Sequence, residues 1–175
     1  MNKTRFTRAP LLMAALVLAL LVIAIPADAG DAFFKGGVIF APRDVGFEGR
    51  WRLAFGADYP VNFAETLLAG FELQGSVYRQ DVVQGGPTAT VVPGNAFFNV
   101  KYKSSSLELR PFAGAGLGLV GDVRWLSGEF DWNKEFGYHL LGGIEFGRLV
   151  VELQILGAFD SEVDTQWAGF VGFVW

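Results

Sequence analysis

The chain offers little with which to do covalent chemistry: one histidine, His139, and no cysteine. As a general base His139 would need a hydroxyl nucleophile within hydrogen-bond reach, yet the residue two positions on is Leu141. Glu145 and Glu108 are its expected partners, which makes it a member of a polar network and leaves no residue assigned to catalysis. Gly116-x-Gly118-x-x-Gly121 matches the dinucleotide-binding spacing, but that motif works by opening a helix within a βαβ unit. Here a loop with Asp122 and Trp125 follows, and no helical period does. Glu129, Asp131 and Glu135 form one acidic group, and Asp160, Glu162 and Asp164 another. Their spacing fits no EF-hand loop, so they read as solvated loop charges; neither a metal nor a cofactor is expected.

The remaining polar residues fall into a pattern. From Gly49 to Tyr59 one parity reads Trp51, Leu53, Phe55, Ala57, Tyr59 and the other Arg50, Arg52, Ala54, Gly56, Asp58. Strict alternation of this kind is a β-strand with one apolar and one polar face. Eight such segments follow one another: Ala32 to Ala41, Gly49 to Tyr59, Glu65 to Gln80, Asn95 to Lys103, Ser106 to Val120, Phe136 to Gly147, Leu149 to Asp160, and Asp164 to Trp175. The chain is therefore expected to be all-β, an eight-stranded antiparallel up-and-down transmembrane β-barrel. In lipid each strand must pair on both edges, which closes the ring.

Apolar residues then face lipid and polar ones the lumen. The lumen network comprises Lys35, Arg50, Arg52, Asp58, Glu72, Gln74, Tyr78, Lys101, Glu108, Arg110, His139, Glu145, Glu152 and Gln154, with Ser76 and Asn99 on the same parity. Both signs of charge are present, and an eight-stranded interior is about filled by side chains; buried charges of this kind must be paired, so a plug of ion pairs is expected in place of a water-filled channel. Gly114, Gly116, Gly118, Gly137, Gly143 and Gly147 lie on that parity too. They leave room either for long side chains such as Arg52 or Tyr78, or for a small cavity. Pro111 stands on the lipid-facing parity of the fifth strand, where it removes a ladder donor and predicts a bulge or a strand start.

Loop lengths alternate. Residues 42 to 48, 81 to 94, 121 to 135 and 161 to 163 form one set, while Pro60 to Ala64, Ser104 to Ser105 and Gly147-Arg148 are the short turns. Transmembrane barrels place their longer loops outside the cell. Aromatic residues on the apolar parity fall near one end or the other, Phe40, Trp51, Tyr138, Phe159 and Trp167 at the outer ends and Phe34, Tyr59, Tyr102, Phe146 and Trp175 at the periplasmic ends. Two such girdles mark the two lipid interfaces.

The first residues supply the route to that membrane. Lys3, Arg5 and Arg8 precede an unbroken apolar run from Leu11 to Ile25, then Pro26 and Ala27-Asp28-Ala29. This is the pattern of a secretory signal peptide, residues 1–29, cleaved to leave a barrel domain over residues 30–175. The apolar run is shorter than the roughly 20 residues of a spanning helix. Without Lys3, Arg5, Arg8 and Asp28 the acids clearly outnumber the bases, so nucleic acid is not an expected partner.

The stretch Arg110-Pro-Phe-Ala-Gly-Ala-Gly-Leu-Gly-Leu-Val-Gly, the stretch Phe136-Gly-Tyr-His-Leu-Leu-Gly-Gly-Ile-Glu-Phe-Gly and the terminal Phe173-Val174-Trp175 together resemble small eight-stranded outer-membrane barrels of the OmpA/OmpX type. The resemblance implies insertion through the barrel-assembly machinery, which reads a terminal aromatic with apolar residues at alternate positions before it. The family usually ends in Phe, where this chain has Trp175. Its members serve as tethers, adhesins, conduits and lipid-modifying enzymes, so the fold alone selects no activity. A lipid A deacylase of this class would place Ser where Leu141 stands.

The expectation is thus a non-enzymatic, monomeric barrel of a Gram-negative outer membrane, in contact with membrane lipid and lipopolysaccharide. Its role would be in envelope integrity or in presenting loops to a partner. No domain is expected beyond Trp175, hence no link to a peptidoglycan-binding module. A narrow, porin-like conduit is the alternative, followed by a lipid A-modifying enzyme. A soluble lipocalin would invert the parity and turn Trp51, Phe71, Phe173 and Trp175 inward.

Overall fold

A computed structural model describes residues 30–43, 46–61, 64–81, 88–104, 108–126, 129–159 and 165–175. The expected signal peptide and the acidic group Asp160, Glu162 and Asp164 lie outside the described residues. The strands are β1 (Asp31–Arg43), β2 (Gly46–Pro60), β3 (Leu67–Gly75), β4 (Tyr78–Asp81), β5 (Thr88–Lys103), β6 (Leu109–Leu126), β7 (Glu129–Phe146), β8 (Leu149–Ala158) and β9 (Gln166–Val174).

Every pairing is antiparallel between chain neighbours, and β1 with β9 closes the ring. The nine strands make eight staves, because β3 and β4 continue one another. Gly75 faces Gly94 and Tyr78 faces Val91 in a single unbroken register along β5. The interruption at Ser76 and Val77 falls beside Pro93, whose carbonyl accepts from the Ser76 N–H at 3.1 Å. Pro93 has no N–H to return, so the ladder opens at that point.

The registers also set the tilt. Stepping between partners from Asp31 through Asp58, Gly70, Asn99, Gly116, His139, Leu156 and Gln166 leads back to β1 just beyond the Phe40–Trp167 pair. A stagger of about ten residues around eight staves tilts the strands by roughly 35–45°.

Alternation sorts the two faces. On β8, Val151 and Leu153 are exposed, Leu153 at 69%, while Glu152 and Gln154 between and beside them are 1% exposed. Leu117, Leu140 and Val171 are likewise exposed, and His139 is fully buried. Large apolar side chains outside and charged ones inside is the reverse of a soluble barrel, and it excludes the lipocalin inversion.

Pro111 lies two residues into β6. Its carbonyl accepts from the Ser104 N–H at 3.0 Å, so its nitrogen faces the same side, beyond the last β5 partner pair, Lys103 with Phe112. The missing donor therefore costs no ladder bond with β7. At the β7–β8 turn Gly147 has φ of 58°, the left-handed conformation that glycine adopts without steric cost.

Three of the outer loops are shorter than the alternation implies. β1 and β2 run to Arg43 and from Gly46, β4 to Asp81, and β6 and β7 to Leu126 and from Glu129, taking up most of residues 42 to 48 and 121 to 135 and part of 81 to 94. Pairing does not need lipid on one face, so the ladder runs on past the hydrocarbon band, and on β6 and β7 the alternation runs on with it.

Candidate functional site: the barrel interior

The interior is built around Lys35 of β1. Its ammonium donates to Glu72 at 2.8 Å and to Glu152 at 2.6 Å, with all three side chains essentially without solvent contact. Two carboxamides complete the cluster. Gln74 Nε2 donates to Glu72 and to Gln154 Oε1, each at 2.7 Å, and Gln154 Nε2 donates to Glu72 at 2.8 Å and Glu152 at 2.6 Å. Period-two alternation places Glu72 beside Gln74 and Glu152 beside Gln154 on the inner face. Each buried carboxylate thus has a cation and amide donors, the condition for holding charge away from water.

Toward the end that holds Ala32 and Trp175 the pairs continue. Lys101 donates to Asp58 at 2.9 Å, Lys103 to Asp31 at 2.5 Å and to Glu145 at 3.3 Å, and Arg110 approaches Glu145 at 3.5 Å. Phe33 lies between two cations, its ring centre 4.5 Å from both the Lys35 and the Lys101 ammonium, so the aromatic face adds to their stabilisation. Asp31 and Lys103 belong to this network, and sequence reasoning missed both.

Arg52 is 4% exposed, and its partners among the described residues are neutral: Gln74 Oε1 at 3.3 Å and, with the Asn95 carboxamide turned so that its oxygen faces the guanidinium, Asn95 at 2.7 Å. Asn95, also missed, occupies the inward parity of β5. Arg50 and Tyr78 are half-buried above it, the guanidinium 3.7 Å from the ring centre.

His139 has different neighbours from those expected. Its Nε2 lies 2.7 Å from Asn99 Oδ1, and its ring stacks on Phe97 at 4.1 Å. The cause is the row Asn99, Gly116, His139 across β5, β6 and β7: the glycine leaves the space in which the two side chains meet, and a Cβ there would collide with both. Glu145 is engaged at the mouth with Lys103 and Arg110. Glu108 precedes β6 and is exposed, so it is not a lumen residue; the strand begins at Leu109, later than its alternation suggests. A carboxamide partner gives His139 no nucleophile to activate.

Of the other inward glycines, Gly114 is covered by Lys101, Gly137 by Val120 and Gly143 by Phe112, in place of Arg52 or Tyr78, while Gly118 lies against the backbone at Ala96 and Gly147 has nothing near it. Ile39, Ala54, Phe97, Leu156, Ala168 and Phe170 form a buried apolar cluster inside the barrel, which a purely polar lumen does not anticipate. A cavity of about 20 Å3 lies near the Ala32 and Trp175 end, between Asp31, Lys35, Asp58, Lys101, Lys103 and Glu145. That is room for about one water. Among the described residues no group of three His, Asp or Glu side chains could hold a metal ion.

No protein-family model and no curated protein matches the chain. Solved structures do. Neisserial surface protein A is similar with a TM-score of 0.63 and 14% identity, over 82% of this chain and 94% of that one. The amino-terminal barrel domain of Pseudomonas aeruginosa OprF is similar with a TM-score of 0.51 and 11% identity, over 84% and 98%. Ail, the attachment invasion locus protein of Yersinia pestis, in complex with the heparin analogue sucrose octasulfate, gives 0.52 and 10%, over 84% and 99%.

The fold is that of the small eight-stranded outer-membrane β-barrels.

In an outer-membrane barrel the exposed aromatic residues lie where chain meets lipid. Phe40 and Trp167 are partners on β1 and β9, with Trp51 on β2 opposite Val38, and all three rings are exposed. Tyr138 and Phe159 touch, ring centres 5.3 Å apart. At the other end Phe34, Tyr102, Phe146 and Trp175 are exposed and Tyr59 is half-buried. Trp175 and Ala32 exchange backbone hydrogen bonds of 2.9 and 3.1 Å, so the terminal residue takes part in closing the barrel.

β6 and β7 reach well past this band. Each has 18 residues, against the roughly 9–11 that cross a bilayer. On the extension Arg124 and Asp122 pair at 2.6 Å. The hydrogen bond that Arg124 donates to that carboxylate, reinforced by the carboxylate's charge, raises the guanidinium's pKa above its ordinary value.

Proposed function

We propose that this chain is a structural protein of a Gram-negative outer membrane, exported behind residues 1–29 as a cleaved signal, and neither an enzyme nor an open pore. It contributes to envelope integrity or presents its outer strands to a partner. The observation that carries this reading is the filled interior. Among the described residues the Lys35, Glu72 and Glu152 cluster and the apolar cluster around Phe97 and Phe170 occupy the interior, and the cavity beside Asp31 and Lys103 measures about 20 Å3. Its partners in this reading are membrane lipid and lipopolysaccharide outside, and the barrel-assembly machinery through β9 and the Trp175 that follows it. It works as a monomer.

The test is a comparison of cells with and without the chain. Loss of the protein is expected to raise sensitivity to bile-salt detergent while the lipid A acyl pattern stays unchanged. An altered acyl pattern that His139→Ala abolished would make it an enzyme instead.

A narrow conduit for ions or small solutes is the second reading. In its favour, charged groups of both signs extend from Asp31 and Lys103 at the periplasmic mouth to Lys35 inside.

A further inference from the structure

The β6–β7 extension keeps its alternation where lipid no longer demands it. Beyond Leu119 and Phe136 the outward parity continues with Val123 and Trp125 on β6 and with Lys134 and Trp132 on β7. Trp125 is 51% exposed and Trp132 59%. Trp132 pairs directly with Val123, and Trp125 stands one step diagonal to it, so the two indoles share one face. The Lys134 ammonium lies 4.7 Å over the Trp132 ring. Arg79 joins the same face, in the row that runs Arg79, Thr90, Trp125 across β4, β5 and β6.

The opposite face carries Asp122, Arg124, Glu129 and Asp131. The extension is therefore sided. Indoles and Lys134 look out over the surrounding leaflet, while the acids of β6 and β7, with Arg124 paired to Asp122, look toward the barrel axis.

Trp132 lies about 20 Å of strand beyond Tyr138 in the outer girdle, at about 3.3 Å per residue. Tilt reduces this height, but the indoles still stand above the hydrocarbon boundary. What surrounds an outer-membrane barrel at that level is the headgroup layer of the outer leaflet. Indole faces with a polar N–H suit sugar rings, and Lys and Arg suit phosphate. Acids on that face would repel a polyanion, and on β6 and β7 they are on the other.

We infer that the outward face of the β6–β7 extension, with Trp125, Trp132, Lys134 and Arg79, is a docking surface for the phosphorylated saccharide headgroup of an outer-leaflet glycolipid. The inference rests on the outer-membrane reading and gives the glycolipid of that reading a defined place on the chain. It is supported by the face's continuity with the lipid-facing surface and by its charge.

The experiment uses the protein purified from membranes with Trp51, Trp167 and Trp175 replaced by Phe, which leaves Trp125 and Trp132 as the emitters. It is reconstituted into vesicles of phosphatidylcholine alone, with lipopolysaccharide, or with phosphatidylglycerol at equal charge. Insertion is verified by the mobility of unboiled samples, and acrylamide quenching is measured. Quenching is expected to fall several-fold in the lipopolysaccharide vesicles alone, and Lys134→Glu with Arg79→Glu to restore it. Equal quenching in all three vesicles, with the barrel inserted, overturns the docking surface and leaves the outer-membrane reading standing. Equal protection by phosphatidylglycerol overturns the saccharide assignment. Failure to insert into any vesicle overturns the outer-membrane reading, and the docking surface with it.

Discussion

The Lys35 ammonium lies 2.6 Å from a Glu152 carboxylate oxygen, although the two residues are 117 positions apart and on strands that do not pair. They meet across the barrel interior, β1 and β8 being separated by β9. Glu72 holds the same ammonium from β3 at 2.8 Å. One cation thus ties three staves together where water does not reach.

Lys35→Met removes the cation and leaves both carboxylates buried without it. Breaking such a pair costs about 3–5 kcal/mol, and the urea midpoint of the protein folded in detergent or lipid should fall accordingly. Combining Lys35→Met with Glu72→Gln and Glu152→Gln should recover much of the loss. No recovery in the triple variant would mean that packing, and not charge pairing, dominates at Lys35.

Gly116→Ala should destabilise by about 1–3 kcal/mol, the usual cost of overpacking, because its Cβ would collide with His139 and Asn99. His139→Ala removes the colliding ring. The second substitution should therefore cost less in the Gly116→Ala background than alone, and a double-mutant cycle measures the difference. Additive costs would contradict the contact over Gly116.

Eight staves were legible because lipid on one side and a packed lumen on the other impose period-two alternation on each of them. Glu72, Gln74, Glu152 and Gln154 sit inside for that reason. What parity does not encode is the partner across the lumen: His139 was expected near Glu145 or Glu108, and it meets Asn99 because a glycine happens to separate them in the row. Parity turns Phe97 and Phe170 inward but does not say that apolar side chains gather there into a cluster. The two pack with Ile39 and Leu156, a relationship spread over four strands. Asn95 and Lys103 lie at the ends of the fourth alternating segment, where the inward pattern is hardest to read. Glu108 was misplaced because the alternation continues for a few residues before Leu109, where β6 begins.

Depth separates two outward positions. Leu153, 69% exposed in the middle of β8, faces the bilayer interior, and Leu153→Arg should cost about 2–4 kcal/mol in lipid. Trp132→Arg, above the girdle, should cost only about 0–1 kcal/mol. Reversible unfolding in phospholipid vesicles gives both values, and equal costs would contradict the placement of the outer boundary.

Pro111→Val should change stability by no more than about 0.5 kcal/mol, since the proline nitrogen faces the end of β5 and not the β7 ladder. A larger gain in the same unfolding assay would show that the proline does interrupt pairing.

The filled lumen is tested most directly by single-channel conductance of the purified protein in a planar bilayer, after unboiled and boiled samples have been shown to migrate differently. Inserted protein is expected to stay silent, with Lys35 held between Glu72 and Glu152. Discrete, reproducible openings would contradict the plugged interior and make this barrel a conduit, with Lys35, Arg52 and Lys101 the first residues to alter in search of its selectivity.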